Sequence, residues 1–311
     1  MIVTVTPNPS LDRTYRVAAL EVGELNRASA DTVEPSGKGV NVSIALHAAG
    51  VATRAVLPAG AALCALLDRA DLPYAAVPVA ATRTNVTIAE PGRTTKVNAP
   101  GEPLADAEWD ALVDAVAGAA VGADWVVICG SLPPAAPADA VRRLVSAGWE
   151  GGAAVAVDTS GSALIAASRT GPDLLAPNGA ELAELTGTAL PPAGPPLVAA
   201  AGAAARALHA ATGSELLVSL GADGALYVGD GWALAAAGPP VEPVNTAGAG
   251  DALLAGWLAG DDDDPPTRLA RAVAWGTAAC LMAATAGDVA AAAKPEAVTV
   301  ADLDPSSAAR S

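Results

Sequence analysis

Short runs of consecutive apolar residues alternate along the chain with longer stretches rich in alanine and leucine. The run Trp125–Cys129 is apolar at every position, which is typical of a strand in a sheet covered on both faces. Stretches such as Asp106–Ala120 have the length and composition of helices. This alternation predicts an α/β fold: a central, mostly parallel sheet flanked by helices on both faces.

The individual elements follow from the same pattern. The predicted strands are Ile2–Thr6, Arg54–Pro58, Trp125–Cys129, Ala154–Asp158, Leu174–Ala176, Leu216–Ser219 and Ala225–Val228. The predicted helices are Val40–Ala49, Ala61–Ala70, Asp106–Ala120, Pro137–Ala147, Ala180–Thr186, Leu197–Ala211, Asp251–Ala259 and Thr267–Ala284. The acidic run Asp261–Asp264, which two prolines follow, predicts a solvated loop.

Two segments interrupt the alternation, at about residues 12–36 and 83–98. The second consists of two runs rich in Thr and Val joined by Pro91-Gly92, which predicts a β-hairpin. Both segments are too poor in apolar residues to form a core of their own. We expect them to form a small β-sheet that packs on the main domain or on a second copy of the chain.

The composition and the net charge of the chain argue against some classes of function. Apolar residues make up 52 % of the chain but aromatic residues only 3 %, so the core must be built from Leu, Val, Ile, Ala and a few Trp. The formal net charge of −16 argues against a general binder of nucleic acid or of anionic membranes, because both need a basic surface. Basic residues that meet an anionic substrate must therefore be few and well placed.

Metal, redox and targeting signals are weak. The three cysteines are widely spaced without a Cys-x-x-Cys pair, and the two histidines leave little room for a histidine metal cluster or a Ser-His-Asp triad. The first residues lack a basic region followed by an apolar signal core, and no proline-free apolar run reaches the length of a membrane span. We expect a cytoplasmic protein.

The segment Gly248-Ala249-Gly250-Asp251 carries the clearest chemistry. Small residues at the start of a helix leave main-chain N–H groups open to an anion, and the helix dipole adds positive potential. A carboxylate beside such an anion site is useful if it takes a proton from a hydroxyl that attacks phosphorus. The alternative is that Asp251 is a helix cap on a glycine-rich turn.

Ser36-Gly37-Lys38-Gly39-Val40-Asn41 also opens a helix, and Lys38 could meet a phosphate. Because Gly39 stands where a P-loop needs Ser or Thr, and the glycine spacing of a dinucleotide fingerprint is missing, neither motif applies. Alone, the segment could equally be a glycine-rich loop.

Two further segments have a structural and a functional interpretation. Asn178 and Glu181, three apart at a helix start, could hold hydrated Mg²⁺ or form a capping box. The segment from Ser219 to Gly224 could be a hairpin turn or the floor of a nucleotide site.

The order of these segments resembles the PfkB group of ribokinase-like carbohydrate kinases, most closely the phosphofructokinase and tagatose-phosphate kinase branch. The resemblance covers nearly the whole chain. It also includes Asn8-Pro9-Ser10-Leu11-Asp12, Thr82-Arg83-Thr84-Asn85 and Gly130-Ser131-Leu132-Pro133-Pro134. It implies one ribokinase-like kinase domain over residues 1–311, with segments 12–36 and 83–98 as a small β-sheet lid and with homodimers formed through that lid.

The resemblance also implies ATP and Mg²⁺ as cofactors, and a role for each matching residue. Asp251 would be the catalytic base, and the backbone of Gly248, Ala249 and Gly250 would hold the transferring phosphoryl group. The implied sugar-phosphate ligands are Asp12, Gly37 and Asn41 for hydroxyls, and Lys38, Arg83, Ser131 and Arg27 for the phosphate. The implied nucleotide ligands are Asn178, Ser219, Gly221 and Gly224, and Glu181 and Asn178 would organise Mg²⁺, directly or through water.

Four positions depart from the family pattern: Ser36 and Ala135 replace glycines, Cys129 replaces a serine, and Ala176 replaces a lysine before Pro-Asn. The last change could weaken a nucleotide or phosphate contact. None of the four touches the predicted base or its anion site.

The resemblance predicts ATP-dependent phosphorylation of a ketohexose phosphate, with fructose 1-phosphate as the first choice. Tagatose 6-phosphate and fructose 6-phosphate are the alternative acceptors. A kinase of an unphosphorylated sugar or nucleoside is less consistent with Lys38 and Arg83. A sugar-phosphate-binding protein without catalysis is the alternative of another class, suggested by Ala176.

Overall fold

The computed structural model describes residues 1–260, 262–282 and 287–303. The strands are β1 (Ile2–Val5), β2 (Ser10–Arg16), β3 (Ala30–Ser36), β4 (Thr53–Ala59), β5 (Tyr74–Pro78), β6 (Arg83–Glu90), β7 (Arg93–Val97), β8 (Trp125–Cys129), β9 (Ala154–Asp158), β10 (Leu174–Leu175), β11 (Glu215–Ser219), β12 (Ala225–Gly229), β13 (Trp232–Ala237) and β14 (Thr299–Asp302). The helices are α1 (Lys38–Ala48), α2 (Ala61–Arg69), α3 (Asp106–Ala120), α4 (Ala140–Glu150), α5 (Gly161–Thr170), α6 (Gly179–Thr186), α7 (Pro195–Thr212), α8 (Ala249–Leu258), α9 (Pro265–Cys280) and α10 (Val289–Ala292).

A ten-stranded main sheet has the order β14-β13-β12-β11-β10-β9-β8-β1-β4-β5. The strands from β5 to β11 are parallel, and β12, β13 and β14 extend the sheet in antiparallel pairs. Apolar residues cover both faces, as the continuous apolar runs predict. One face packs on α3 to α7, and the other packs on α1, α2, α8 and α9. The predicted α/β class with a central, mostly parallel sheet is confirmed.

A second sheet of four strands, the small sheet, has the order β3-β2-β6-β7. Its strands come from the two segments that break the alternation, and β6 and β7 form the antiparallel hairpin predicted around Pro91-Gly92. Strands β2 and β6 pair in parallel, with Asp12 opposite Asn85. Alternate residues of the small sheet therefore share one polar face.

The structure adds elements that the pattern did not predict. Strand β13 is rich in alanine, which favours helices, yet it pairs with β12 and β14 along its length. Strand β5 ends in proline at the sheet edge, where a missing N–H is tolerated. Helix α5 follows β9 directly and begins at a glycine, which hid it from the sequence pattern.

Two predicted segments fall partly outside the described residues. The stretch 241–244, which precedes α8, lies in a loop rather than in a strand of either sheet. Helix α9 ends at Cys280, and the predicted extension to Ala284 reaches residues outside the described ranges. Asp261, the first residue of the acidic run, also lies outside them. Across the described ranges, no helix combines the length and apolarity that crossing a bilayer requires.

Candidate active site

A cavity of about 880 Å³ lies between the carboxyl ends of the main-sheet strands and the polar face of the small sheet. Main-sheet residues in its wall include Asp158 at the end of β9 and Ser219 at the end of β11. Strands β2 and β6 contribute Asp12 and Asn85 from the opposite side. Ligands of open α/β sheets bind at the carboxyl edge of the strands, so this cavity is the natural candidate site.

The amino end of α8 forms one wall of the cavity. Gly248 precedes the helix with φ 80°, a left-handed conformation that glycine adopts without strain. A side chain at Gly250 would meet no atom within 4 Å, so open space lies beside this backbone. The first N–H groups of a helix have no partner within the helix, and both glycines line the cavity. An anion can therefore approach this helix end closely.

Asp251 is the third residue of α8 and is buried, with 6 % of its surface exposed. Its Oδ2 accepts a hydrogen bond of 2.7 Å from Nδ2 of Asn41. The residue that caps the helix is Gly248, so the interpretation of Asp251 as a helix cap is wrong. The Asp251 side chain instead forms part of the cavity wall, next to the open amino end of α8.

The environment of Asp251 changes its acidity. Burial raises its pKa from 3.8 to about 7, and the nearby Asp158 carboxylate acts in the same direction. The hydrogen bond from Asn41 and the charge of Lys38 oppose this rise but do not cancel it. A carboxyl group with a pKa near neutrality can accept a proton from a substrate hydroxyl and release it again.

Lys38 and Asp158 form an ion pair at the base of the cavity, with Nζ 2.6 Å from Oδ1. Burial lowers the pKa of Lys38, but the carboxylates of Asp158, Asp251 and Glu181 raise it more, and the net shift is upward. Lys38 therefore stays cationic at every physiological pH. Lys38 is the first residue of α1 and Asp158 the last of β9, so the pair joins the glycine-rich start of a helix to the end of a main-sheet strand 120 residues away.

The glycines around Lys38 allow α1 to approach the end of β1. A side chain at Gly37, where φ is 123°, would meet Cγ2 of Thr6 at 2.7 Å. A side chain at Gly39 would meet Oγ1 of Thr6 at 2.4 Å and the carbonyl oxygen of Val5 at 3.2 Å. Both glycines are needed for close packing, and that packing brings Lys38 and Asn41 to the cavity.

Asp12 lies on the opposite wall within a network of hydrogen bonds. Its Oδ1 accepts from Oγ of Ser10 and from Nδ2 of Asn85, each at 2.9 Å. Its Oδ2 accepts from Oγ of Ser36, also at 2.9 Å. The amide oxygen of Asn85 accepts in turn from the main-chain N–H of Ala99. Three strands of the small sheet thus hold the carboxylate in one orientation.

Arg83 lines the cavity, and its guanidinium group is largely committed to backbone. It donates to the carbonyl oxygens of Pro9 at 3.3 Å, Ala99 at 2.6 Å and Asn8 at 3.0 Å. Two of its five N–H groups remain for a ligand. Of the cavity-lining basic residues in the described ranges, Arg16 and Lys96 make no side-chain hydrogen bond or ion pair. Lys96 therefore adds a positive charge that the sequence motifs did not single out.

Asn178 and Glu181 form the capping box of α6. The Asn178 side chain accepts from the N–H of Glu181 at 3.0 Å, and Glu181 Oε2 accepts from the N–H of Asn178 at 2.8 Å. Both residues also line the cavity, together with Ser219 and with Ala176, the position where the family pattern has lysine. The cap fixes the Glu181 carboxylate at the cavity wall and leaves its second oxygen for another partner.

Five predicted site residues lie outside the cavity wall: Ser131, Arg27, Ala249, Gly221 and Gly224. Ser131 accepts a hydrogen bond from Nδ2 of Asn8, and Arg27 is exposed on the loop between β2 and β3. Gly221 and Gly224 belong to the turn between β11 and β12, as the hairpin interpretation predicts. A side chain at Gly224 would meet the carbonyl oxygen of Ala236 at 1.9 Å. Close packing against β13 therefore explains why glycine stands at this position.

Like Lys96, Asp158 and Asn85 line the cavity but were not among the site residues predicted from the sequence. Asp158 ends a buried apolar strand, and a charged residue at that position is a signal for the carboxyl edge of a sheet. Asn85 ends the motif Thr82-Arg83-Thr84-Asn85, but its cross-strand contact to Asp12 depends on the parallel pairing of β2 with β6. That pairing has no local signal in the sequence.

On the side of the cavity formed by the main sheet and its helices, the carboxylates of Asp158, Glu181 and Asp251 offer oxygen ligands. Among the described residues, no group of three or more His, Cys, Asp or Glu side chains is placed to enclose a metal ion. Mg²⁺ commonly binds one or two carboxylates, several waters and substrate phosphates rather than a closed protein cage. The residues present therefore fit a magnesium ion that arrives with a nucleotide.

Comparison with known proteins agrees with this arrangement. Residues 5–295 match the family described as pfkB family carbohydrate kinase. The chain is 38 % identical over 268 residues to 1-phosphofructokinase from Rhodobacter capsulatus, covering 83 % of this chain and 82 % of that protein. It is 35 % identical over 262 residues to ATP-dependent 6-phosphofructokinase isozyme 2 from Escherichia coli, covering 81 % of this chain and 83 % of that protein.

A solved structure shows the same fold. The crystal structure of phosphofructokinase-2 from Escherichia coli in complex with fructose-6-phosphate has a TM-score of 0.84 and 31 % sequence identity, and the match covers 94 % of this chain and 97 % of that chain. The family match spans most of the chain and includes every cavity-lining motif described above. The chain belongs to the pfkB family of carbohydrate kinases.

Proposed function

We propose that this kinase transfers the γ-phosphoryl group of ATP to a hydroxyl group of a ketohexose phosphate, and that its preferred acceptor is fructose 1-phosphate, which becomes fructose 1,6-bisphosphate. The observation that carries the proposal is the buried Asp251, with a pKa near 7, beside the open amino end of α8. Relatives named 1-phosphofructokinase and 6-phosphofructokinase support this substrate class.

The proposed reaction uses Asp251 as the general base. The acceptor hydroxyl gives its proton to the Asp251 carboxylate as its oxygen bonds to the γ-phosphorus, and the bond from phosphorus to the β-phosphate oxygen breaks to release ADP. Main-chain N–H groups at Gly248, Ala249 and Gly250 stabilise the negative charge of the transferring group. Asn41 keeps Asp251 oriented through the bond from its Nδ2, while its amide oxygen stays available to a sugar hydroxyl.

The acceptor is held by residues of both walls. Asp12, Gly37 and Asn41 bind its hydroxyl groups, and its phosphate meets Lys38 and Arg83, with Ser131 and Arg27 completing the site. One N–H of the Lys38 ammonium group is used by Asp158, and two remain for the substrate. The two free N–H groups of Arg83 are the corresponding donors on the other wall.

The nucleotide lies along the carboxyl edge of the main sheet. Asn178 and Ser219 border its phosphates and base, with Gly221 and Gly224 shaping the turn beyond. Glu181 and Asn178 would hold Mg²⁺, directly or through water, since the capping box uses one Glu181 oxygen and leaves the other. The ion would supply positive charge that offsets the charge of the ATP phosphates.

We also propose that the enzyme is a cytoplasmic homodimer. The face of the small sheet away from the cavity carries Val33 and Val97, which are 37 % and 60 % exposed, beside other apolar residues of β2 and β6. These exposed apolar residues support a homodimer formed through the small sheet acting as a lid. ATP and a sugar phosphate as substrates support a cytoplasmic enzyme.

A panel of acceptors tests the proposal. ATP turnover is measured with fructose 1-phosphate, fructose 6-phosphate, tagatose 6-phosphate and the unphosphorylated sugars. We expect the highest kcat/KM with fructose 1-phosphate and very little turnover without a sugar phosphate. Equal turnover of free fructose would contradict the phosphate contacts. Tight binding of sugar phosphates without turnover would instead favour the non-catalytic alternative, which Ala176 at the cavity wall motivates.

A further inference from the structure

Ser36 touches the proposed sugar site through a contact that the family pattern lacks. It is the last residue of β3 and lies opposite Ser10 of β2. Only 7 % of its surface is exposed. Its hydroxyl donates to Oδ2 of Asp12 at 2.9 Å. The family motif that this segment resembles has glycine here, and glycine has no side chain to make such a bond.

The bond from Ser36 limits what Asp12 can accept. A carboxylate has about four acceptor positions, two on each oxygen. Ser10 and Asn85 fill both positions on Oδ1, and Ser36 fills one on Oδ2. A single position on Oδ2 is left, so Asp12 can receive one sugar hydroxyl. With glycine at position 36, Oδ2 could receive two.

We propose that Ser36 is a specificity-determining residue, which restricts Asp12 to a single hydroxyl of the ketohexose phosphate and so selects against acceptors that present two neighbouring hydroxyls on one side of the ring. The proposal rests on the proposed function, since it assumes that Asp12 binds the sugar. Fructose and tagatose differ in this respect. In the furanose ring, the hydroxyls at carbons 3 and 4 lie on opposite sides in fructose and on the same side in tagatose.

The cis pair of tagatose presents both hydroxyls to a carboxylate oxygen on one side of the ring, whereas the trans pair of fructose presents one on each side. An enzyme with glycine at position 36 would gain one hydrogen bond to tagatose phosphates but not to fructose phosphates. In this chain, the hydroxyl of Ser36 already fills that acceptor position on Oδ2 of Asp12. The remaining bonds from Ser10 and Asn85 keep Asp12 in place when Ser36 is changed, so its loss alters selectivity rather than abolishing binding.

The test compares Ser36→Gly, Ser36→Ala and Ser36→Thr with the unmodified enzyme. Each is assayed with a fructose phosphate and a tagatose phosphate that carry phosphate on the same carbon, at the position that the enzyme accepts. We expect Ser36→Gly and Ser36→Ala to raise the tagatose-to-fructose ratio of kcat/KM by about 2- to 10-fold, the usual worth of one hydrogen bond. Ser36→Thr keeps the hydroxyl and should keep the original ratio.

Thr32→Ala is the matched control, because it removes a hydroxyl from the same strand at an exposed position. It should leave both kcat/KM values unchanged. If the unmodified enzyme turns over no ketohexose phosphate, the proposed function fails. If it is active and the ratio stays the same in Ser36→Gly and Ser36→Ala, the proposed role of Ser36 is overturned while the kinase assignment stands. A fall of both kcat/KM values by the same factor would also overturn it, because that result indicates a purely structural role.

Discussion

The amide Nδ2 of Asn41 donates a hydrogen bond of 2.7 Å to Oδ2 of Asp251, across 210 positions of the chain. Both side chains are buried, and the bond joins the first turn of α1 to the first turn of α8. Two glycine-rich helix starts that look independent in the sequence are therefore parts of one site. The bond also fixes which Asp251 oxygen remains for a substrate.

Replacing Asp251 by Asn tests the catalytic base. The amide cannot accept a proton, and its similar shape preserves packing, so we expect kcat to fall by about 10²- to 10⁴-fold. ATP binding, measured by calorimetry, should change little. Asp230→Asn, at an exposed position in the turn between β12 and β13, is the control and should retain full activity. Near-normal turnover of Asp251→Asn would show that the carboxylate is not the base.

The pKa of Asp251 predicts the pH dependence of the rate. Burial raises this pKa to about 7, and only the ionised carboxylate can act as a base. The value of kcat/KM for the sugar phosphate should therefore rise about tenfold per pH unit below 7 and level off above it. Rates measured between pH 5 and 9 in buffers of constant ionic strength would reveal this. A rate that stays flat down to pH 5 would contradict the raised pKa.

The same raised pKa predicts that Asp251 destabilises the folded protein at alkaline pH. The folded-state pKa exceeds the ordinary value of 3.8, so the folded protein holds the extra proton between about pH 4 and 7, and stability from this group falls as pH rises through that window. Asp251→Asn carries no charge to bury. We expect it to raise Tm relative to the unmodified protein at pH 8 and to have a smaller effect at pH 4.5, as followed by thermal denaturation. A larger gain at pH 4.5 would reverse the sign of the argument.

Asp158 should raise the pKa of Asp251 without itself acting as the base. Its carboxylate raises the pKa of Asp251 and pairs with Lys38 at 2.6 Å. Asp158→Asn removes that negative charge and frees Lys38 to act on Asp251, so the midpoint of the pH–rate profile should move to lower pH. The measurement is kcat/KM against pH for the variant and for Asp110→Asn, which changes an exposed carboxylate on α3. An unchanged or higher midpoint in Asp158→Asn would contradict the electrostatic link.

Replacing Ala135 by glycine should stabilise the folded protein. It has φ 55°, a left-handed conformation that costs a residue with a side chain roughly 1–2 kcal/mol, and it stands where the family pattern has glycine. Part of the gain is lost because glycine is more flexible in the unfolded chain. We expect Ala135→Gly to increase the free energy of unfolding by about 0.5–1 kcal/mol in urea denaturation. Ala136→Gly, without a positive φ to relieve, should decrease it.

Much of the main sheet could be predicted because its strands are buried on both faces. Such strands need apolar residues at every position, and runs such as Trp125–Cys129 show this directly. Strands β13 and β14 could not be predicted in the same way, because the pairing that stabilises them comes from neighbours distant in sequence. The alanine-rich β13 would favour a helix if it were isolated.

By itself, the sequence determined most strands of the main sheet, the two glycine-rich helix starts and the prediction of Asp251 as the catalytic base. Each of these depends on short-range chemistry: apolar runs, glycines that expose backbone, and charges next to helix ends. Tertiary structure alone decided that Lys38 pairs with Asp158, that Arg83 is largely bound to backbone carbonyls, and that Ser36 joins Ser10 and Asn85 on Asp12. These partners lie on different strands and helices, so their meeting depends on how the main sheet and the small sheet pack.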